Sequence, residues 1–122
     1  MSDTLRVAHV AAQGDVRIVV IENSVDELHK LVGGYFEVFR VRDLTTDPMR
    51  SVIGLCDEDG WRVTPEHTPT ANIWSPFLYD GVIAGDIVLV RAEPHGDFIS
   101  LRDSDITTLR RIFPAHALIV EV

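Results

Sequence analysis

The chain has one cysteine, Cys56, and one lysine, Lys30, among its 122 residues. A lone cysteine excludes an internal disulfide and suits a reducing compartment. Uninterrupted apolar runs are short, Ile18 to Ile21 being representative, whereas a helix needs about 20 apolar residues to cross a bilayer. The opening Met1-Ser2-Asp3-Thr4-Leu5-Arg6-Val7 has neither the basic nor the apolar stretch of an export signal. The expected location is therefore the cytoplasm, with no membrane partner. Positive charge is also scarce, with 11 basic against 19 acidic side chains and a net charge of -8. Such a field repels phosphate backbones, so direct nucleic-acid binding is not expected. All the basic residues except Lys30 are arginines, a skew that fits GC-rich coding better than a demand for bidentate anion binding.

Chemical motifs are missing as well. The glycine-rich places, Gly33-Gly34 and Gly81 to Gly85, match neither G-x-G-x-x-G nor a Walker pattern, and helix termination and strand entry account for them. His9, His29, His67, His95 and His116 are scattered, with no i, i+4 pair and no cysteine pair beside them. His67 and His95 both fall in loops that the fold could bring together, but the spacing supports no metal site. Asp57-Glu58-Asp59 is the densest acidic cluster, yet the rest of a calcium loop is absent, and a hairpin turn with Gly60 in the left-handed position explains it. Cys56 would need a converging histidine and acid to act as a nucleophile. At the end of an apolar strand it reads instead as a small buried hydrophobe. No catalytic residue, metal or cofactor is expected.

What is present is an ordinary globular composition, 46% hydrophobic and 25% charged. A chain of this length buries roughly two-thirds of its unfolded surface, and with no linker-like segment the sequence reads as one domain over residues 1–122. Leu5 to Ala12 and Asp15 to Ile21 flank the turn Gln13-Gly14 as an opening hairpin. Ser24 and Glu27 have capping-box spacing, Val25, Leu28, Leu31 and Val32 recur at helical intervals, and Gly33 is a natural stop. The spacing predicts a helix over 25–32. Tyr35 to Val41 is rich in aromatic and β-branched residues and reads as a strand, broken by Thr45-Thr46-Asp47-Pro48. Ser51 to Cys56, the acidic turn and Trp61 to Val63 read as a second hairpin, and Ile87 to Ala92 with Phe98 to Leu101 as a third. Asp103 and Asp105 open a second helix, about 103–113, whose Arg110 and Arg111 suit its C-terminal end, and Pro114 stops it. Residues 115–122 suit a final strand, or a tail that orders against a partner. The fold class is α+β, mainly an antiparallel sheet of about six to eight short strands with two short helices.

The longest irregular stretch, Thr64 to Tyr79, carries Pro65, Pro69, Asn72 and Pro76, which oppose regular structure. It holds Trp74, Phe77 and Tyr79, with Trp61 nearby, more large apolar groups than a solvated loop needs. Trp74, Phe77 and Tyr79 are therefore candidate binding residues. Arg40 and Arg42 alternate with Phe39 and Val41, and so share a strand face open to solvent, a small anion or an acidic partner.

Val25 to Val38, Asp57-Glu58-Asp59-Gly60, Gly85 to Val90 and Ser100-Leu101 before an acidic helix start follow one another in an order that resembles the domain-of-unknown-function family DUF3846. Its most telling element is helix-Leu31-Val32-Gly33-Gly34-Tyr35-strand, and the likeness runs over about residues 16–113. Residues 114–122 look like an addition. The resemblance implies a small protein of bacteria, plasmids or phages, made in the cytoplasm by a mobile element or its host, and carries no catalytic residue with it. The missing catalytic constellation favours a non-enzymatic module that binds a protein partner through the 64–79 loop or an edge strand, with a homo-oligomer left open. The alternatives are an acidic DNA mimic that inhibits a DNA-binding enzyme, suggested by the net charge, and a small-molecule-binding domain or enzyme using the aromatic loop with an arginine or histidine.

Overall fold

The computed structural model describes residues 3–42, 51–114 and 116–122. Those residues form an α+β fold of seven strands in one open, mostly antiparallel sheet with three short helices. The expected break at Thr45 to Pro48 lies outside them.

Strands β1 (Thr4–Val10) and β2 (Val16–Glu22) make the opening hairpin, with Val10 opposite Val16 and Thr4 opposite Glu22. Helix α1 (Val25–Val32) starts where Ser24 Oγ accepts the Glu27 N–H at 3.1 Å, and ends on Gly33 at φ +93°. Both ends form where capping chemistry places them. Then come β3 (Phe36–Arg40), β4 (Ser51–Asp57), α2 (Ser75–Leu78), β5 (Ile87–Ala92), β6 (Phe98–Ile99), α3 (Asp103–Ile112) and β7 (Ile119–Glu121). The strand order is β3-β4-β5-β1-β2-β7, with β6 beside the end of β5. Every pairing is antiparallel except β2 with β7. Residues 119–121 are thus a strand, the first of the two states open to that segment.

Central β5 is apolar on both sides because both of its faces are covered. Val88 and Val90 pack with Leu5, Val7 and Leu55 beneath Leu28 and Val32 of α1. Ile87 and Leu89 point the other way, into a second core with Ala8, Val10, Val52, Leu78 and the α3 residues Ile106 and Leu109. Each fully buried aliphatic side chain here contributes about 1.5–3 kcal/mol of transfer free energy. Arg91, on the same strand, is 3% exposed, and its Nη1 donates to Asp105 Oδ1 at 2.8 Å. Asp105 Oδ2 also accepts the Arg102 N–H at 2.7 Å, so a single carboxylate caps α3 and ties it to the sheet.

Three expectations are corrected. Trp61 to Val63 form no strand, because β4 is already paired with β3 on one side and β5 on the other, leaving no edge for a returning segment. The chain instead closes a small turn in which Thr64 and His67 exchange backbone hydrogen bonds. The stretch 64–79 is not wholly irregular. Ser75–Leu78 is a third helix, and Pro76 sits in its first turn, where its missing N–H is no loss. Gly60 is not left-handed. A Cβ there would lie 2.7 Å from the Ala84 carbonyl oxygen and 3.2 Å from that of Asp57, so close packing explains the glycine.

Candidate functional site

The long loop is held by two buried polar side chains. Asn72 Nδ2 donates to the carbonyls of Val10 and Gly85, both at 3.0 Å, and its Oδ1 accepts the Trp74 N–H at 2.9 Å. Ser75 Oγ donates to Asn72 O at 2.8 Å and accepts the Ile83 N–H at 3.0 Å. These bonds satisfy backbone groups that a buried loop otherwise leaves unpaired. The loop thus packs as a cover over one sheet face.

The expected binding residues consequently separate. Trp74 is core: its ring is 6% exposed, lies 5.5 Å edge-on from Phe113, and its Nε1 donates to the Gly14 carbonyl at 2.9 Å. Phe77 is half-exposed in a shallow cleft with Arg42, Pro76 and Arg111. Arg42 Nη1 reaches the Pro76 carbonyl at 3.4 Å, and the Arg42 N–H donates to Leu78 O. Arg40 is exposed on β3, as its alternation with buried Phe39 requires. Tyr79 is partly exposed, stacks edge-on against Phe39 at 5.2 Å, and belongs to a different recess. Arg42 and Phe77 are brought together, with the buried Trp74 ring 5.9 Å from that of Phe77; Tyr79 and Arg40 do not join them.

The recess beside Tyr79 is a groove of about 290 Å³ along β3. Its floor is Phe39 and Cys56, and its walls include Trp61, Tyr79 and Val82. Trp61 and Val82 are each 56% exposed. Gly54 makes the floor, because the Phe39 ring lies flat over it in the space a Cβ would fill. Glu37 and Glu58 line the same groove, Asp57 borders it with its carboxylate on the α1 side against Gly34, and the lining includes no basic residue. None of the three has an ion-pair partner among the described residues. Burial, and then the negative charge of Glu37 and Asp57, push the Cys56 thiol up to about 11. Cys56 is thus a protonated floor residue and not an activated nucleophile.

Strand β3 is the last strand on this side of the sheet among the described residues, so its outer backbone edge faces the groove's surroundings unpaired by any described strand. Val38, at its centre, is 54% exposed. An edge strand with an exposed apolar centre can accept another strand. Of these residues, Val38, Glu37 and Val82 carried no sign in the sequence. Their role depends on β3 being outermost, which no local spacing encodes.

The histidines stay apart in function. His67 Nε2 bonds to the Gly60 carbonyl at 3.1 Å. His9 Nε2 meets Asp86 Oδ2 at 2.9 Å, and this bond, with the Ala12 N–H, holds the Asp86 carboxyl below its usual range. His95 lies between Glu93 and Asp97 at 3.3 and 3.6 Å in the exposed β5–β6 turn. The potential ligand atoms of these three fall within 4.8 Å of one another, a grouping that the sequence reading did not single out. The three residues face one another across a tight hairpin tip, which accounts for the grouping.

The sequence profile of the domain-of-unknown-function family DUF3846 matches residues 5–114. The chain belongs to that family. The match begins earlier than the expected residue 16, so the whole opening hairpin is part of the DUF3846 domain, and β7 lies beyond it. No curated protein and no solved structure matches the chain. The double glycine that carries the family likeness has a physical reason here. Gly33 is the left-handed cap of α1, and both its N–H and that of Gly34 donate to His29 O. A Cβ on Gly34 would meet Asp57 Oδ1 at 3.3 Å, so the second glycine lets the Asp57 carboxylate sit against the helix-to-strand turn. No helix among the described residues is long and apolar enough to cross a membrane.

Proposed function

We propose that this DUF3846 protein is a non-enzymatic interaction module that works in the cytoplasm of a bacterium, for the host or for a phage or other mobile element, by binding an extended segment of a protein partner along β3. The observation that carries this reading is the juxtaposition of an outermost strand, exposed Val38 at its centre, and the groove walled by Trp61, Tyr79 and Val82. Strand addition uses backbone hydrogen bonds for affinity and alternate side chains for specificity, and an edge beside a recess offers both. The groove's thiol is protonated and no histidine lines it, which supports recognition over catalysis.

The test is affinity capture of tagged protein from a bacterial host of the gene, in wild-type and Val38→Asp, Trp61→Ala forms, with circular dichroism to confirm the fold. A specific partner that the wild type retains and the double variant loses supports the module. A partner retained equally by both, or a DNA-binding enzyme captured through another face, contradicts it.

A further inference from the structure

The groove beside β3 combines features that serve different ends. Apolar walls alone would suit an aliphatic side chain, yet two acids, Glu37 and Glu58, share the recess with the exposed rings of Trp61 and Tyr79, and a third, Asp57, borders it from the α1 side. Carboxylates beside an apolar floor are costly to desolvate under a docked partner unless a cation meets them. Aromatic faces beside carboxylates form the environment in which an ammonium or guanidinium is bound, through charge and ring quadrupole together. Among the described residues none of these acids is ion-paired, and the basic residues Arg62 and His67 line an adjoining recess that includes Asp57. The net charge of -8 steers a basic partner toward the whole molecule.

We infer that the occupant is a basic extended segment, in which arginine or lysine side chains enter the groove beside Glu37 and Glu58 while the intervening residues are apolar and meet Val38. This inference rests on the interaction reading above and names the chemistry of its partner. The alternation follows from strand geometry. Glu37 and Phe39 lie on one face of β3, and Val38, which also borders the groove, on the other, so a strand added about 4.8 Å away presents successive residues to the two faces in turn.

The test uses three synthetic peptides, Ser-Val-Arg-Val-Arg-Val-Ser and the versions with glutamine or glutamate in place of arginine. Each is titrated into the labelled full chain and followed by nuclear magnetic resonance at the β3 amides and the Trp61 indole N–H. The arginine peptide is expected to bind about tenfold tighter than the glutamine peptide, with the glutamate peptide weakest. The gap between arginine and glutamine should shrink with added salt and in the Glu37→Gln, Glu58→Gln double variant, whose exposed positions leave the fold intact. Equal binding of the arginine and glutamine peptides at β3 overturns the basic partner and leaves the interaction module standing. Arginine-peptide shifts centred on the other acid-lined recess, around Asp3, Glu22, Glu93 and Asp97, also overturn it. If no peptide moves β3 or Trp61, both readings fall.

Discussion

Gly54 lies in the middle of β4, where glycine is ordinarily a weakness, and the Phe39 ring covers it. The ring's position lets Phe39 be 8% exposed on an outermost strand while presenting an edge to Tyr79. Gly54→Ala should therefore displace the ring, cost about 1–3 kcal/mol by overpacking and lift the groove floor. Chemical denaturation would show the loss, and altered Tyr79 and Phe39 resonances would locate it. Cys56 offers a second residue-scale test. Its thiol titrates near 11 in the fold against an ordinary 9.0, so the folded state holds the proton more tightly. The stability from this group is complete below pH 9 and declines as the pH rises toward 11. A Cys56→Ala variant should lose that decline, as denaturation curves across the alkaline range would show, and the wild-type thiol should resist alkylation at pH 8 until the protein unfolds.

Among the elements, α1 was legible because its signals are local. Ser24, Glu27, the apolar spacing and Gly33 sit within ten consecutive positions; Ser24 and Gly33 cap the helix and Leu28 and Val32 are buried, while the Glu27 carboxylate meets Lys30 instead of closing a capping box and Val25 is exposed. Trp61 to Val63 was misread because a turn followed by an aromatic and a β-branched residue looks the same whether or not a strand edge is free to receive it. Trp74 and Tyr79 are separated by five positions and look alike in sequence, yet one is buried against Phe113 and the other edges a groove. What distinguishes them is the Asn72–Ser75 network, which depends on the distant carbonyls of Val10, Ile83 and Gly85. The docking of α3 shows the same dependence. Asp105 looked like a charge suited to the helix dipole, and proved to be a buried partner of Arg91, 8% exposed. Asp105→Ala removes that partner from a buried guanidinium and uncaps α3, so a loss of about 3–5 kcal/mol is expected, well above that of an exposed acid such as Asp103. Thermal unfolding of the two alanine variants checks the contrast.

At the scale of the molecule, the pattern of strand, turn and helix segments indicated an α+β chain, but sheet order was out of its reach. Hairpins can be inferred from neighbouring segments, whereas the insertion of β1 between β5 and β2 brings together strands far apart in sequence. That order leaves β3 and β7 as the two outer strands among the described residues, and the two edges differ. Beside β7, Arg6 and Arg110 engage Glu121, and Leu118, Val120 and Val122 are exposed. Beside β3, unpaired carboxylates and aromatic walls flank an exposed valine. The charge that seemed to belong to turns and helix starts is thus partly gathered at one edge. The most direct measurement is hydrogen–deuterium exchange of the protein alone and saturated with its captured partner. The account predicts slowed exchange in residues 36–40, with accompanying protection around Trp61 and residues 79–84. Protection confined to residues 118–122, or to the β5–β6 turn, with β3 exchanging unchanged, would contradict it.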